Sequence, residues 1–243
     1  TVTGAAGNDT LVSIERVIGT GYSDTITGSV GDDVLDGGDG ADSIDGGLGN
    51  DTVSYDSASG GRTVNLLTGV NSDGDTLTSI ENITGSRYGD VLTGDTGNNI
   101  IEGGLGDDAL DGGLGNDTAS YASATSGVTV SLKLATAQNT SGAGTDTLAG
   151  FENLIGSAYN DTLTGDSGTN ILNGDSGDDM LIAGAGGADT LIGGSGTDTA
   201  SFSDATAGVA ITINGSGTNA DGATVTLTGI ENLIGSAYND TLT

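Results

Sequence analysis

A Gly-Gly-x-Gly-x-Asp run followed by a short aliphatic triplet returns at nine-residue intervals, as in GGLGNDTVS from Gly46 to Ser54 and GGLGNDTAS from Gly112 to Ser120. Glycine reaches backbone angles closed to other residues, so the carbonyls of a tight loop can point inward, and aspartate adds a hard oxygen ligand beside them. The x-U-x triplet that follows is a strand with one inward apolar residue. Together the two halves predict a parallel β-helix whose turns hold calcium.

The residue closing each loop can serve as an anchor. The anchors run Asp9, Glu15, Asp24, Asp33, Asp42, Asp51, then Asp75, Glu81, Asp90, Asn99, Asp108, Asp117. A third set follows as Asp146, Glu152, Asp161, Asn170, Asp179, Asp189, Asp198, and a last one as Val225, Glu231, Asp240. Within a set the step is nine residues, apart from a six-residue step into each Glu and one extra residue near Ala183. The former reads as a turn shortened by three residues, the latter as a bulge. Two residues past each of the 22 anchors stands an aliphatic residue, from Leu11 through Ile26, Leu35 and Leu163 to Leu242. High charge with few aromatics also suits an acidic disordered segment, but disorder has no need of that register. Two units are predicted to make one turn of the coil, so that loops on one edge are 18 residues apart, with Asp24 facing Asp42 and Asp33 facing Asp51.

The array reads as one continuous stretch, residues 1–243, belonging to a longer protein, with blocks at about 4–54, 70–120, 141–201 and 220–243. Three longer stretches separate the blocks, each with an aromatic residue, a turn-rich run and a β-like segment. These are Tyr55 with Thr63 to Leu67, Tyr121 with Val128 to Leu132, and Phe202 with Val209 to Ile213. They are expected to be widened coils that continue the sheets, the aromatic covering a wider core. Surface loops of variable length are the competing reading.

Composition bounds the partners. The chain has no Cys, no His, no Pro and no Trp, which nearly excludes zinc, thiol and histidine chemistry. Four basic residues, Arg16, Arg62, Arg87 and Lys133, face 34 acidic ones, for a net charge of −30. Cations are the natural partners, and neither nucleic acid nor an anionic membrane is expected. No apolar run approaches the roughly 18 residues of a membrane span, so no membrane insertion is expected. Paired carboxylates could in principle hydrolyse a glycoside, but calcium already accounts for their positions, and no enzyme is expected.

GGLGND, GGDGAD and GGSGTD, each followed by a strand triplet, resemble the GGxGxDxUx nonapeptide of the repeats-in-toxin (RTX), hemolysin-type calcium-binding family. DTLTSIENITGSRYGDVLTGD and DTLAGFENLIGSAYNDTLTGD resemble the longer repeat variant of that family's large secreted proteins. The resemblance covers almost the full chain. It implies an all-β fold, a right-handed parallel β-roll or β-solenoid, together with extracellular calcium binding and export by type I secretion. It further implies that each ion takes two main-chain carbonyls and the Asp of one loop, and the same set from the loop one coil later. Carried across, the side-chain ligands are the anchors named above, Val225 and Glu231 apart. The carbonyl ligands come from loops holding Gly31, Gly37, Gly46, Gly97, Gly103, Gly112, Gly168, Gly174, Gly177, Gly184 and Gly193. The Asp33/Asp51 site would use carbonyls near Ser29 and Gly31 and near Gly46 and Leu48. Tyr22, Tyr88, Tyr159 and Tyr238 stand where the motif has Gly, and Asn99 and Asn170 where it has Asp; weaker binding is expected at these loops. Pairing anchors along the edges gives about 13 candidate sites, and so many ions would offset most of the chain's negative charge.

The function expected is a calcium-binding structural module of a secreted or cell-surface bacterial protein, unfolded before export and folded by calcium outside. An adhesin, surface-layer or spacer role is the leading form, and open coil ends would invite self-association by stacking. The alternative is the C-terminal export and stabilising module of an extracellular enzyme or toxin. A polysaccharide-binding role finds few basic residues to support it. Ice binding would rest on Thr pairs such as Thr162 and Thr164, which are common on any solvent-facing strand.

Overall fold

The computed structural model describes residues 15–243, so Asp9 and Leu11 lie outside the described residues. The regular elements are all strands, most of them three residues long, because a glycine loop interrupts the chain every nine residues. The fold is an all-β roll with parallel walls. Among the described residues no helix is long and apolar enough to cross a membrane. The chain divides into two compact units, Thr1–Asp117 and Thr118–Thr243.

In the first unit one wall stacks Arg16–Thr20, Val34–Gly38, Thr52–Ser54, Asn82–Thr84 and Ile100–Glu102, each parallel to the next. A second wall stacks Thr25–Thr27, Ser43–Asp45 and Thr76–Thr78. A third begins at Thr63–Asn65 and continues through Val91–Thr93 to Ala109–Asp111. The register pairs inward residue with inward residue, as in Leu35↔Val53 and Leu92↔Leu110. The six-residue step at Asp75–Glu81 therefore carries the chain from the last rung of the second wall back to the first wall.

The second unit repeats the scheme. Thr118–Ser120, Asn153–Ile155, Ile171–Asn173, Thr190–Ile192 and Thr224–Thr228 form one wall. Thr129–Ser131, Thr162–Thr164, Met180–Ile182, Thr199–Ser201 and Asn232–Ile234 form another. A short further wall pairs Ala210–Ile211 with Thr241–Leu242. The extra residue near Ala183 sits in the turn before Asp189 and is not a strand bulge, since Leu172 still pairs with Leu191.

Each longer stretch thus supplies the first rung of a new wall. Its β segment is shorter than expected: Thr63–Asn65, Thr129–Ser131 and Ala210–Ile211. Val64, Val130 and Ile211 fill the inward position and are buried, each eleven residues past the preceding inward residue, Val53, Ala119 and Ala200. The rest of each stretch forms an antiparallel hairpin, which the expectation of widened coils did not include: Val70–Asn71 on Thr63–Asn65, Gln138–Asn139 on Thr145–Ala149, and Ser216–Thr218 on Thr224–Thr228.

Of the 22 inward residues expected, 18 are buried; Leu77 and Leu233 are half-buried and Leu242 is exposed. Tyr55, Tyr121 and Phe202 are buried, as expected of residues covering a wider core. Their main-chain N–H groups continue the ladder, donating to the carbonyls of Thr84, Ile155 and Ile234 at 2.8, 2.9 and 2.9 Å.

Candidate metal centres

Stacked loops are tied together through their anchors. The main-chain N–H of Asp24 donates to Asp42 Oδ1 at 2.8 Å, that of Asp33 to Asp51 Oδ1 at 2.8 Å, and that of Asp42 to Asp75 Oδ1 at 2.9 Å. Asp90 to Asp108, Asn99 to Asp117 and Asp161 to Asp179 follow at 2.8 Å each, and Asp179 to Asp198 at 2.9 Å. The Glu anchors join in: Asp51 N–H reaches Glu81 Oε2 at 2.9 Å and Asp198 N–H reaches Glu231 Oε2 at 2.8 Å. One oxygen of a typical anchor carboxylate is thereby committed to the neighbouring coil. What happens to the other oxygen separates two kinds of loop.

In the first kind, the residue four before the anchor has a positive φ, as at Gly38 (φ 86), Gly47 (φ 100), Gly104, Gly113 and Gly194, with Asp175 (φ 70) adopting the same angle. The longer loop before Asp189 does so at Gly184. That angle turns the N–H away from the anchor; Gly38 N–H, for instance, goes to Asp36 Oδ1 at 2.9 Å. Oδ2 of Asp42, Asp51, Asp179, Asp189 and Asp198 is consequently buried with no hydrogen-bond partner. Carbonyl oxygens crowd this space, as they also do in the second kind of loop, where a Cβ on Gly85 would lie 2.5 Å from Asp90 Oδ2 and 2.4 Å from Gly103 O. A Cβ added to Gly174 would lie 2.2 Å from Asp179 Oδ2 and 2.7 Å from Gly193 O, and one on Gly193 would lie 2.5 Å from Asp198 Oδ2 and 2.0 Å from Gly229 O. Buried oxygens converging without a donor are costly unless a cation joins them. Hard oxygen ligands of this kind, carboxylate and main-chain carbonyl together, suit calcium.

Electrostatics point the same way. Burial pushes the carboxyls of Asp42, Asp51 and Asp198 up, and those of Asp179 and Asp189 up to about 7. The N–H bonds from neighbouring coils oppose this shift, while nearby carboxylates, such as Asp161 and Asp198 beside Asp179, reinforce it. Among the described residues no group of three or more acidic side chains is placed to hold a metal ion by itself, so a cation here would draw on carbonyls as well.

In the second kind of loop the residue four before the anchor is Thr20, Ser29, Ser86, Asp95, Ser157, Asp166 or Ser236, none with a positive φ. Its N–H now donates to the anchor. Ser86 N–H reaches Asp90 Oδ2 at 2.6 Å, Ser157 N–H reaches Asp161 Oδ2 at 2.6 Å and Ser236 N–H reaches Asp240 Oδ2 at 2.8 Å. The Ser hydroxyls add bonds of 3.1, 2.8 and 2.6 Å to the Oδ1 atoms of the same carboxylates. Main-chain N–H groups of Arg62, Val128 and Val209 complete the set at 2.5, 2.7 and 2.9 Å. Burial raises Asp90 against these donors, whereas the Ser236 hydroxyl and Val209 N–H hold the half-buried Asp240 below its ordinary value. Asp33 is intermediate: Ser29 N–H takes Oδ2 at 2.5 Å, and Oδ1 has no partner.

Tyr22, Tyr88, Tyr159 and Tyr238 all belong to this second kind, where the position two before the anchor needs no positive φ. Gly31, Gly97 and Gly168 lie in second-kind loops, while Gly37, Gly46, Gly103, Gly112, Gly174, Gly177, Gly184 and Gly193 lie in first-kind loops. Of the remaining anchors, Glu15 is exposed, Glu152 half-buried and Asp146 buried. Asp75 Oδ2 accepts from the Tyr55 hydroxyl and from Asn71 Nδ2, both at 3.2 Å. Sequence reading missed Arg62, Val128 and Val209 as anchor positions, although each stands eleven residues past an anchor Asp. Arg62 is half-buried, its Nε 2.7 Å from Asp73 Oδ2 and its NH2 3.4 Å from Asp39 Oδ1.

Comparison with known protein families matches residues 18–53, 84–119, 146–181, 181–200 and 226–243 to the RTX calcium-binding nonapeptide repeat (4 copies). No curated protein matches the chain as a relative.

Proposed function

The chain belongs to the family of RTX calcium-binding nonapeptide repeats, and from that premise we propose that it is a calcium-gated structural module of a secreted or cell-surface bacterial protein. Family membership makes it a calcium-binding module. The array, continuous in sequence from block to block, would serve as a spacer or as part of an adhesin or surface-layer subunit. It would remain unfolded at the low calcium of the cytosol and become rigid at the roughly 0.1–1 mM that extracellular modules sense.

The observation that carries this reading is the set of buried, unpartnered Oδ2 atoms of Asp42, Asp51, Asp179, Asp189 and Asp198. A fold that buries them and carries a net charge of −30 needs counter-ions to be stable. The anchors of the first-kind loops would supply the carboxylate ligands and the loop glycines the carbonyls. Circular dichroism during a calcium titration is the test: β signal should appear cooperatively with calcium and vanish with chelator. Equal β content in both conditions would overturn the proposal.

A further inference from the structure

We infer that the loops closed by Asp90, Asn99, Asp161 and Asn170 are metal-free joints, so that coils 81–102 and 152–173 hold without calcium and ions sit at the loops whose anchor carboxylates lack these donors. The inference rests on the calcium-dependent reading above and refines where the ions go. The expectation from motif alone was weaker binding at the two Asn loops. The geometry points instead to side-chain donors that do the cation's work.

At Asn99 the amide orientation is fixed from both sides. Asp95 N–H donates to Oδ1 at 2.8 Å, which turns Nδ2 toward the carbonyl of Glu81 at 2.6 Å. Asn170 repeats the arrangement, with Asp166 N–H on Oδ1 at 2.9 Å and Nδ2 donating to Glu152 O at 2.9 Å. Both amides are buried. In each, an N–H group satisfies an inward-facing carbonyl. A carboxylate at that position would instead set oxygen against oxygen. The preceding loop of each coil is the Ser-capped one, in which Asp90 and Asp161 are held by Ser86 and Ser157. Asn82 and Asn153 close the same coils, their Oδ1 atoms accepting from Ile100 N–H at 2.8 Å and Ile171 N–H at 3.0 Å.

Each coil thus carries its own donors at both edges. By contrast, seven loops among the described residues, those closed by Asp42, Asp51, Asp108, Asp117, Asp179, Asp189 and Asp198, have the turned-away N–H. The number of ions at saturation should therefore lie well below 13. The metal-free coils would be the last parts of each unit to open as calcium is withdrawn, and the first to form as it returns.

Two measurements on the full chain test this. Hydrogen exchange at graded calcium should show amides of 82–102 and 153–173 losing protection at lower calcium than those of 37–54 and 174–201. Simultaneous loss everywhere overturns the inference. The double variant Asn99→Asp, Asn170→Asp replaces each amide donor by a carboxylate oxygen, and equilibrium dialysis with calcium alone should find two more ions per chain at saturation. An unchanged stoichiometry overturns it, and if the variant does not fold at any calcium concentration the exchange pattern of the unmodified chain decides. Failure of the unmodified chain to respond to calcium would sink the functional reading itself, whereas a calcium response with uniform exchange sinks only this refinement.

Discussion

One backbone angle decides what an anchor carboxylate needs. At Gly38 a positive φ of 86° turns the N–H from Asp42, and a Cβ there would stand 2.0 Å from the carbonyl oxygen of Thr20, a main-chain atom that cannot yield. Gly31 lacks such an angle, and the nearest atom to a Cβ there is Ser29 Oγ at 3.9 Å. Gly38→Ala should therefore cost more than the roughly 1–2 kcal/mol of left-handed strain, and Gly31→Ala about 1 kcal/mol or less. Urea midpoints at saturating calcium would show the contrast; equal losses would contradict it. Glycine and aspartate at fixed spacing made the anchor loops legible in the sequence, but not the division between them. Ser86 and Ser157 look like tolerated substitutions of a motif glycine until the hydrogen bonds to Asp90 and Asp161 are seen.

The strand triplet is the unit of the walls, and its inward residue carries the packing. Leu172 is fully buried between Leu154 and Leu191, while its neighbour Ile171 is 42% exposed. Leu172→Ala should cost about 2–5 kcal/mol, with the spread set by how far the adjacent rungs close the void. Ile171→Ala should change stability by about 1 kcal/mol at most. Thermal or denaturant unfolding at fixed calcium separates them, and a cost at position 171 matching that at 172 would mean the register is wrong. That register was legible because a buried wall tolerates only aliphatic residues at every ninth position. The first rungs at Val64, Val130 and Ile211 escaped it because their anchors, Arg62, Val128 and Val209, are not acidic. From these to the next anchors, Asp75, Asp146 and Val225, the spacing varies, so the hairpins between them left no period to read.

For the whole molecule, protons can discharge the same carboxylates that the proposed calcium ions would. In the folded, metal-free protein the carboxyls of Asp179 and Asp189 are raised to about 7 from an ordinary value of 3.8, with burial the largest cause, and those of Asp42, Asp51 and Asp198 are raised as well. A folded state with raised acid pKa values binds more protons than the unfolded chain between those limits. The stability this linkage provides is fully present below about pH 4 and is lost as pH rises through about 7. Chelator-free protein stripped of metal should then gain β signal as pH falls from 8 toward 5, the opposite of a protein whose native carboxylates are salt-bridged. Calcium must displace those protons, so its midpoint should move to higher concentration over the same fall, and binding near pH 6.5 should release protons that calorimetry in buffers of different ionisation enthalpy can count. Metal-free protein whose β signal falls on acidification, or a calcium midpoint independent of pH, would show that the anchors are not the groups on which folding turns.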